Sequence, residues 1–205
     1  MLDLNCVELC IKPSKPYGEW VKALKLMGYA AVGLDLAEAE ASEFQAEAGH
    51  EILCFLRTAS GASDGGLPWV DSCPMAEASK RRKPPSLLAL GIADRIDDLE
   101  AFLAARPNRV EALELNMGEV RASYEKDARG TFEWTSRLAR AAGARRMPIL
   151  LSSHASTPEG LVTPLSKKAF AVTVKTGGRS GGARERRFLK RLEQTVRTRE
   201  RVGAD

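Results

Sequence analysis

The sequence predicts an α/β protein built as a TIM-like (β/α) barrel, and three observations lead to this class. Short apolar runs alternate regularly with amphipathic helical patterns. The runs are nearly continuous, as in parallel strands that are covered on both faces. Six or seven such units favour a barrel over an open sheet. Because 205 residues is short for a fold that typically needs about 250, we expect an incomplete barrel with some small or missing helices.

The first part of the chain predicts three strands and two helices. The strands are expected over residues 2–9, 29–36 and 51–58. Within PYGEWVKALKLMG, four apolar residues recur on one helical face: Trp20, Val21, Leu24 and Met27. Gly28 is expected to end this helix, and Gly49 to end a second helix within AEAEASEFQAEAG.

Residues 59–86 interrupt the alternation of strands and helices. This segment is rich in Gly, Ser, Pro and Lys/Arg, and it has no hydrophobic periodicity. Such a composition predicts a long, basic loop. We assign this loop to a barrel domain that comprises residues 1–176.

The regular pattern returns in the second half of the chain. Strands are expected over residues 87–92, 109–116 and 147–153, with helices in DRIDDLEAFLAARPN and TFEWTSRLARAAG. The second of these helices should turn Phe132, Leu138 and Ala142 toward the core. Thr157 is expected to cap a helix in TPEGLVTPLSKKA, because a proline follows it at the first helical position. The segment FAVTVKTG is compatible with either a seventh strand or a helix end.

Residues 177–205 predict a glycine hinge followed by a basic C-terminal helical arm. From Lys175 to Asp205 there are ten Lys/Arg and four Asp/Glu, whereas the rest of the chain carries 21 and 23. The net charge is therefore +6 in this part and −2 in the rest. The arm helix has one narrow apolar stripe, formed by Leu189, Leu192 and Val196, which would dock on the barrel or on a partner. Basic arms most often meet nucleic acid, although a solvated tail is the alternative.

The cysteines and the N-terminus indicate a cytoplasmic protein. Cys6 and Cys10 lie too far apart along one strand for a disulfide, and Cys54 falls in an apolar run, so reduced thiols are expected, including Cys73 in the loop. The chain has no apolar run of about 18 residues, which predicts no membrane span. The opening MLDLNCVEL lacks the basic region and cleavage site of a signal peptide.

Any active site of a parallel barrel lies at the C-terminal ends of its strands. The polar residues expected there are Asn5 or Glu8, Asp35, Arg57, Asn116 and Ser152 to His154. A serine mechanism is disfavoured, because Ser153 and His154 are adjacent in a strand and point to opposite faces. The other histidine, His50, should lie at the opposite end of the barrel.

A metal-dependent phosphoesterase is the alternative function that the strand ends leave open. Metallohydrolases on barrels need several clustered His and carboxylate ligands, and this chain has only two histidines. A hard-cation site built from carboxylates alone is conceivable. Its ligands would be Asp3, Glu8, Asp35 and Glu114.

Clustered basic residues predict contacts with RNA phosphates, because Lys and Arg neutralise the backbone without reading its sequence. Aromatic residues are sparse beside them, which favours the shape of folded RNA over stacking on single strands. The candidate RNA-binding residues are Lys80, Arg81, Arg82, Lys83, Arg95, Arg121, Lys167, Lys168, Lys175, Arg179, Arg184, Arg187, Lys190 and Arg191.

Four segments together resemble the ribonuclease P protein component 3 family, the archaeal counterpart of the thirty-kilodalton eukaryotic subunit. These segments are LDLNCVEL, LKLMGYAAVGLDL, RVEALELNMGEV and PILLSSHAS, and they occur in the order of the family pattern. The resemblance covers roughly residues 1–58 and 87–166. Residues 59–86 and the end after Phe170 depart from the family.

The resemblance implies a barrel related to the polymerase and histidinol phosphatase hydrolases that has lost their metal site. Where those enzymes carry a His-x-His pair, this chain has Leu4-Asn5-Cys6. It implies a non-catalytic subunit that supports the RNA which removes the 5′ leader of precursor tRNA, with Mg²⁺ bound by that RNA. The implied partners are ribonuclease P RNA, protein component 2 and other ribonuclease P proteins, with precursor tRNA contacted indirectly. Ser152 and Ser153 would then be rim and packing residues, and His154 would replace a small residue.

Overall fold

Seven parallel strands form the barrel sheet, and each strand pairs with the next one in the sequence. The computed structural model describes residues 6–58, 67–77, 85–105, 110–173 and 186–194. The strands are β1 (Val7–Ile11), β2 (Ala31–Leu34), β3 (Leu53–Thr58), β4 (Trp69–Pro74), β5 (Ser86–Leu90), β6 (Ala112–Asn116) and β7 (Ile149–Ser152).

The first and last strands approach each other and almost close the barrel. Ile11 forms an isolated parallel bridge with Ala155, just beyond the end of β7. The amide of Lys12 donates to the carbonyl of Ala155 at 2.8 Å. The fold is therefore an incomplete (β/α) barrel, which confirms the class that the sequence predicts.

Seven helices lie in the described residues: the first six accompany the strands on the outside of the barrel, and the last follows all seven strands. They are α1 (Gly18–Leu26), α2 (Glu38–Ala48), α3 (Ile96–Ala105), α4 (Met117–Lys126), α5 (Ala128–Ala144), α6 (Pro164–Thr173) and α7 (186–194). Short 3₁₀ turns lie at Met75–Glu77 and Pro158–Gly160. In the described ranges, no helix combines the length and the apolarity that a membrane crossing requires.

The structure corrects the prediction of a continuous loop over residues 59–86. Residues 69–74 of this segment form β4, which pairs with β3 and β5. The strand was missed because its sequence, WVDSCP, is interrupted by polar residues and a proline. Cys73 therefore lies buried in a strand and not in a loop. All four cysteines are free thiols, as predicted.

Three further differences concern the second half of the chain. The helix α4 was not predicted, although Asn116 caps it by accepting from the amide of Glu119. Thr157 precedes a 3₁₀ turn, and the next helix begins only at Pro164. Residues 170–173 continue that helix, so the strand alternative for this segment is wrong as far as Thr173. Phe132 is 51% exposed and does not face the core.

The inside of the barrel is apolar at its N-terminal end, where α7 covers it. Phe188, Leu189 and Leu192 of α7 are buried against side chains from all seven strands. Those strand residues are Val7, Leu9, Ala31, Phe55, Val70, Leu87, Ala112 and Leu150. The apolar stripe of the arm thus docks on the barrel, while Val196 and the glycine hinge lie outside the described residues.

Candidate functional site

Three polar side chains meet inside the barrel near the C-terminal ends of its strands. Arg57 of β3 donates from Nη1 to Oε1 of Glu114 in β6 at 2.9 Å, and from Nη2 to Oε2 at 2.6 Å. The same Nη2 donates to Oγ of Ser72 in β4 at 2.5 Å. Such a bidentate pair between guanidinium and carboxylate fixes both groups in one geometry.

The pair is buried, and its two members keep each other charged. Burial alone would raise the pKa of Glu114, but the Arg57 guanidinium and the hydrogen bond with His154 lower it to about 2. Burial acts to lower the pKa of Arg57, and the charge of Glu114 raises it overall. Glu114 is therefore a carboxylate at neutral pH whose charge the protein itself compensates.

His154 completes this group, and the four residues Arg57, Ser72, Glu114 and His154 are called the mouth cluster below. Its Nε2 lies 3.2 Å from Oε1 of Glu114. Burial acts to lower the pKa of His154, but hydrogen bonds with Cys10 and Glu114 raise it to about 10. The imidazole is thus protonated at neutral pH. His154 also has a left-handed backbone conformation with a φ of 48°, which residues other than glycine adopt rarely.

A second buried ion pair lies at the seam between β1 and β7. Nζ of Lys167 in α6 donates to Oε2 of Glu8 at 2.8 Å, and both side chains are almost completely buried. The other oxygen of Glu8 accepts from Oγ of Ser152 at 2.7 Å and from the amide of Ser153 at 3.0 Å. Glu8 and Lys167, called the seam pair below, therefore join α6 to β1 and β7, the two strands that do not form a continuous ladder with each other.

The Tyr29 ring packs against the lysine of the seam pair. Nζ of Lys167 lies 4.9 Å from the centre of that ring, a distance at which a cation is attracted to an aromatic face. The Tyr29 hydroxyl donates to the carbonyl of Val162. Burial, together with the nearby charge of Glu8, raises the pKa of Tyr29, so its hydroxyl remains a neutral donor.

The geometry gives no support to a serine nucleophile at this end of the barrel. The Ser152 hydroxyl donates to Glu8, whereas His154 contacts Glu114. A protonated His154 cannot accept a proton from a hydroxyl group. The Ser153 hydroxyl is buried and has no hydrogen-bond partner among the described residues. Ser152 and Ser153 are buried, as expected for the packing role that the resemblance implies, and both contact Glu8.

The carboxylates of the conceivable cation site are not gathered in one place. Each of the described ones faces a cation of the protein: Glu8 faces Lys167, Glu114 faces Arg57, and exposed Asp35 lies 3.1 Å from Lys12. Asp3 lies outside the described residues. In the described part of the chain, no three His, Cys, Asp or Glu side chains are grouped so that they could hold a metal ion.

The candidate RNA-binding residues fall into three groups. Arg95, Arg121, Lys168, Arg187 and Lys190 are exposed. Arg191 is partly exposed and pairs with Glu111. The remaining positions, apart from Lys167, lie outside the described residues: Lys80, Arg81, Arg82, Lys83, Lys175, Arg179 and Arg184.

Lys167 was predicted to bind RNA, and the structure shows that this prediction is wrong because the residue is buried. Its side chain is 3% exposed, and its ammonium group is bonded to Glu8 inside the barrel. The sequence places it beside Lys168, as if both belonged to one charged surface. In the helix, however, neighbouring residues point in different directions, and only Lys168 is exposed.

Of the two cations Arg57 and Lys167 in the barrel interior, only Arg57 had a partial signal in the sequence. Arg57 lies in the otherwise apolar run EILCFLRT, where a lone arginine indicates a buried partner. The seam pair had no such signal, because Glu8 and Lys167 are 159 residues apart.

No family model matches this chain, and no curated protein matches it either.

Proposed function

We propose that this protein is a non-catalytic, RNA-binding subunit of ribonuclease P. One observation carries the proposal: the two buried carboxylates at the mouth and seam of the barrel are each neutralised by a cation of the protein itself. A catalytic carboxylate must be free to bind a metal ion or to move a proton. Glu8 and Glu114 hold the barrel together instead.

The energetics of the mouth cluster support this interpretation. If Glu114 were to bind a metal ion, Arg57 would have to leave its two hydrogen bonds and remain buried without a partner. An unpaired buried charge costs about 3–5 kcal/mol. The protonated His154 is likewise unsuited to bind a metal ion, because a metal requires the neutral imidazole.

The exposed cations supply what a ribozyme subunit needs. Arg95 and Arg121 form only loose pairs along their own helices, with Asp98 at 3.9 Å and Glu125 at 3.4 Å. Exposed pairs of this kind are worth roughly 0–1 kcal/mol, so a phosphate can replace the carboxylate easily. Such contacts lower the repulsion that opposes the compact fold of a catalytic RNA.

The resemblance to the component 3 family adds the identity of the partners to this proposal. The protein would act with ribonuclease P RNA, protein component 2 and other ribonuclease P proteins, and it would contact precursor tRNA indirectly. Cleavage of the 5′ leader would take place on the RNA, with Mg²⁺ held by RNA ligands. The protein would contribute shape and positive charge.

Reconstitution tests the proposal directly. The full chain is mixed with an archaeal ribonuclease P RNA and protein component 2, and 5′ leader removal is measured across a Mg²⁺ series. We expect no cleavage by the protein alone, and a lower Mg²⁺ requirement when the protein joins the RNA and component 2. An unchanged Mg²⁺ requirement would contradict the proposal.

The same preparation tests the rival function, a metal-dependent phosphoesterase. RNA-free protein is incubated with a generic phosphoester and Mg²⁺, Mn²⁺ or Zn²⁺. Turnover that disappears in the Asp35→Ala variant would favour the rival and overturn the proposal. We expect no turnover, because Glu8 and Glu114 are occupied by Lys167 and Arg57.

A further inference from the structure

Five exposed basic residues lie at the N-terminal end of the barrel, opposite the mouth cluster. Arg145 and Arg146 follow the end of α5, and Arg186, Arg187 and Lys190 belong to α7. We propose that these five residues, called the basic end face, form the main surface that binds RNA phosphates, and that Arg95 and Arg121 contribute less to this binding. This inference rests on the proposed function, and it deepens it by choosing the end of the barrel that meets the RNA.

The docking of α7 sets the direction of its basic side chains. Phe188, Leu189 and Leu192 are buried in the barrel. The intervening Lys190, like Arg186 and Arg187, is exposed. One side of the helix thus covers the apolar interior, and the other carries positive charge into solvent.

The chain topology brings the end of α5 next to α7. Arg191 of α7 pairs with Glu111, which directly precedes β6, and the nearby charge of Arg187 also acts on Glu111. In the sheet, Leu113 of β6 lies opposite Ile149 of β7. If this register is followed back by two residues on both strands, Glu111 lies opposite Met147. Paired strands are about 4.8 Å apart, so the two residues are neighbours. Arg145 and Arg146 immediately precede Met147, so the two basic segments adjoin.

The basic end face has few counter-charges in the described structure: the charge of Arg187 acts on Glu111, which already pairs with Arg191. None of its five residues forms an ion pair with another described residue. This distinguishes them from Arg95, Arg121, Arg129 and Arg137, each of which faces a carboxylate. An excess of positive charge on one end of the barrel favours a polyanion as the partner.

The backbone at Arg146 provides an independent observation. Its amide donates to the carbonyl of Gly143, and the amide of Met147 donates to the carbonyl of Ala142 at 2.9 Å. This is the Schellman end of a helix, in which glycine is preferred at the position of Arg146. Arg146 adopts a φ of 53° there, which is less favourable for arginine than for glycine. An arginine at this position thus sacrifices some stability and adds a positive charge to the surface.

The strained position permits a test that separates binding from folding. The variant Arg145→Ala/Arg146→Gly/Lys190→Ala removes three charges and leaves the buried residues of α7 and the Arg191–Glu111 pair intact. The control Lys22→Ala/Lys126→Ala/Arg129→Ala removes three exposed charges elsewhere on the barrel. A third variant, Arg95→Ala/Arg121→Ala/Lys168→Ala, removes three cations on the helices that follow the C-terminal strand ends.

The measurement is the Kd of the full chain for an archaeal ribonuclease P RNA at a series of salt concentrations. We expect the end-face variant to bind roughly ten- to a hundredfold more weakly at low salt, with a salt slope smaller by about two to three. The control should bind as the wild type does. Thermal unfolding should show an unchanged or higher Tm for Arg146→Gly alone, so that weaker binding does not reflect misfolding.

The outcomes distinguish this inference from the proposed function. If the wild type binds the RNA and the end-face variant binds equally well, the inference is overturned and the proposed function stands. Weaker binding of the third variant alone would instead place the RNA at the mouth of the barrel and overturn the inference. If the end-face variant loses affinity but the wild type does not lower the Mg²⁺ requirement in reconstitution, the surface stands and the proposed function fails.

Discussion

Arg57 holds the Glu114 carboxylate through two hydrogen bonds, 2.9 and 2.6 Å long, in the position where barrel enzymes keep their reacting groups. Glu114 is fully buried, and the Arg57 side chain is only 8% exposed. The pair connects β3 with β6, which are not neighbours in the sheet. It thus acts as a cross-brace through the interior of the barrel, and it provides partners for the polar groups that lie near the mouth.

Removal of one partner from this pair should destabilise the protein strongly. Arg57→Met leaves a buried carboxylate without its main counter-charge, and we expect a loss of about 3–5 kcal/mol in the free energy of unfolding. Urea denaturation followed by circular dichroism measures the change. The double variant Arg57→Met/Glu114→Gln should recover part of the loss, because it removes the buried carboxylate, although His154 then lacks its counter-charge. Equal losses in both variants would contradict the cross-brace.

Lys167 and Lys168 form a matched pair of adjacent lysines with opposite roles. Lys167→Met should cost about 3–5 kcal/mol in the free energy of unfolding, because it leaves Glu8 buried and unpaired. Lys168→Met should change stability by less than about 0.5 kcal/mol, since its side chain is exposed. Denaturant titrations of the two variants under identical conditions test the contrast. Similar stabilities would show that the seam pair is not formed in solution.

The sequence was informative where structure depends on local pattern. Apolar runs predicted six of the seven strands, and the stripe of Leu189 and Leu192 predicted a docking face. It was uninformative at β4, because polar residues and a proline interrupt the apolar pattern of this strand, and one of them, Ser72, accepts from Arg57 of the neighbouring strand. No local pattern in β4 could reveal that Ser72 faces a buried guanidinium, since the pairing of β3 with β4 brings the two side chains together.

The same limit applies to the candidate site. Arg57 and His154 were expected at strand ends, but their common partner, Glu114, was considered only as a metal ligand. A basic residue looks alike in sequence whether it is buried or exposed, which is why Lys167 was placed on the surface. Burial is decided by tertiary packing. In α6, Lys167 points into the seam between β1 and β7, whereas Lys168 points into solvent.

The protonation of His154 should make the stability of the protein depend on pH above neutrality. Its pKa is raised in the folded protein to about 10, from an ordinary value of 6.5. The stabilisation is complete below the ordinary value and is lost as the pH rises toward the folded value, with a slope of at most about 1.4 kcal/mol per pH unit for one proton. The free energy of unfolding, measured by urea denaturation from pH 6 to pH 10, should therefore fall.

His154→Gln should flatten this pH dependence, because glutamine bonds Glu114 without titrating. The exposed His50 provides the matched control as His50→Gln. Glu114 has the opposite sign: its pKa is lowered to about 2, so its contribution is present above the ordinary value of 4.5 and is lost as the pH falls toward 2. A wild-type profile that is flat between pH 6 and pH 10 would rule out the protonated imidazole.

The docking of α7 joins this helix to the folding unit of the barrel. Phe188 is fully buried against the inward-facing strand residues, and Phe188→Ala should cost about 3–5 kcal/mol in the free energy of unfolding. Phe132 lies on another helix and is 51% exposed, so Phe132→Ala should cost far less. Because Phe188→Ala keeps every positive charge of α7, a helix that detaches should also become a site of proteolytic cleavage. If Phe188→Ala unfolds at the same urea concentration as the wild type, α7 is not packed in the barrel in solution.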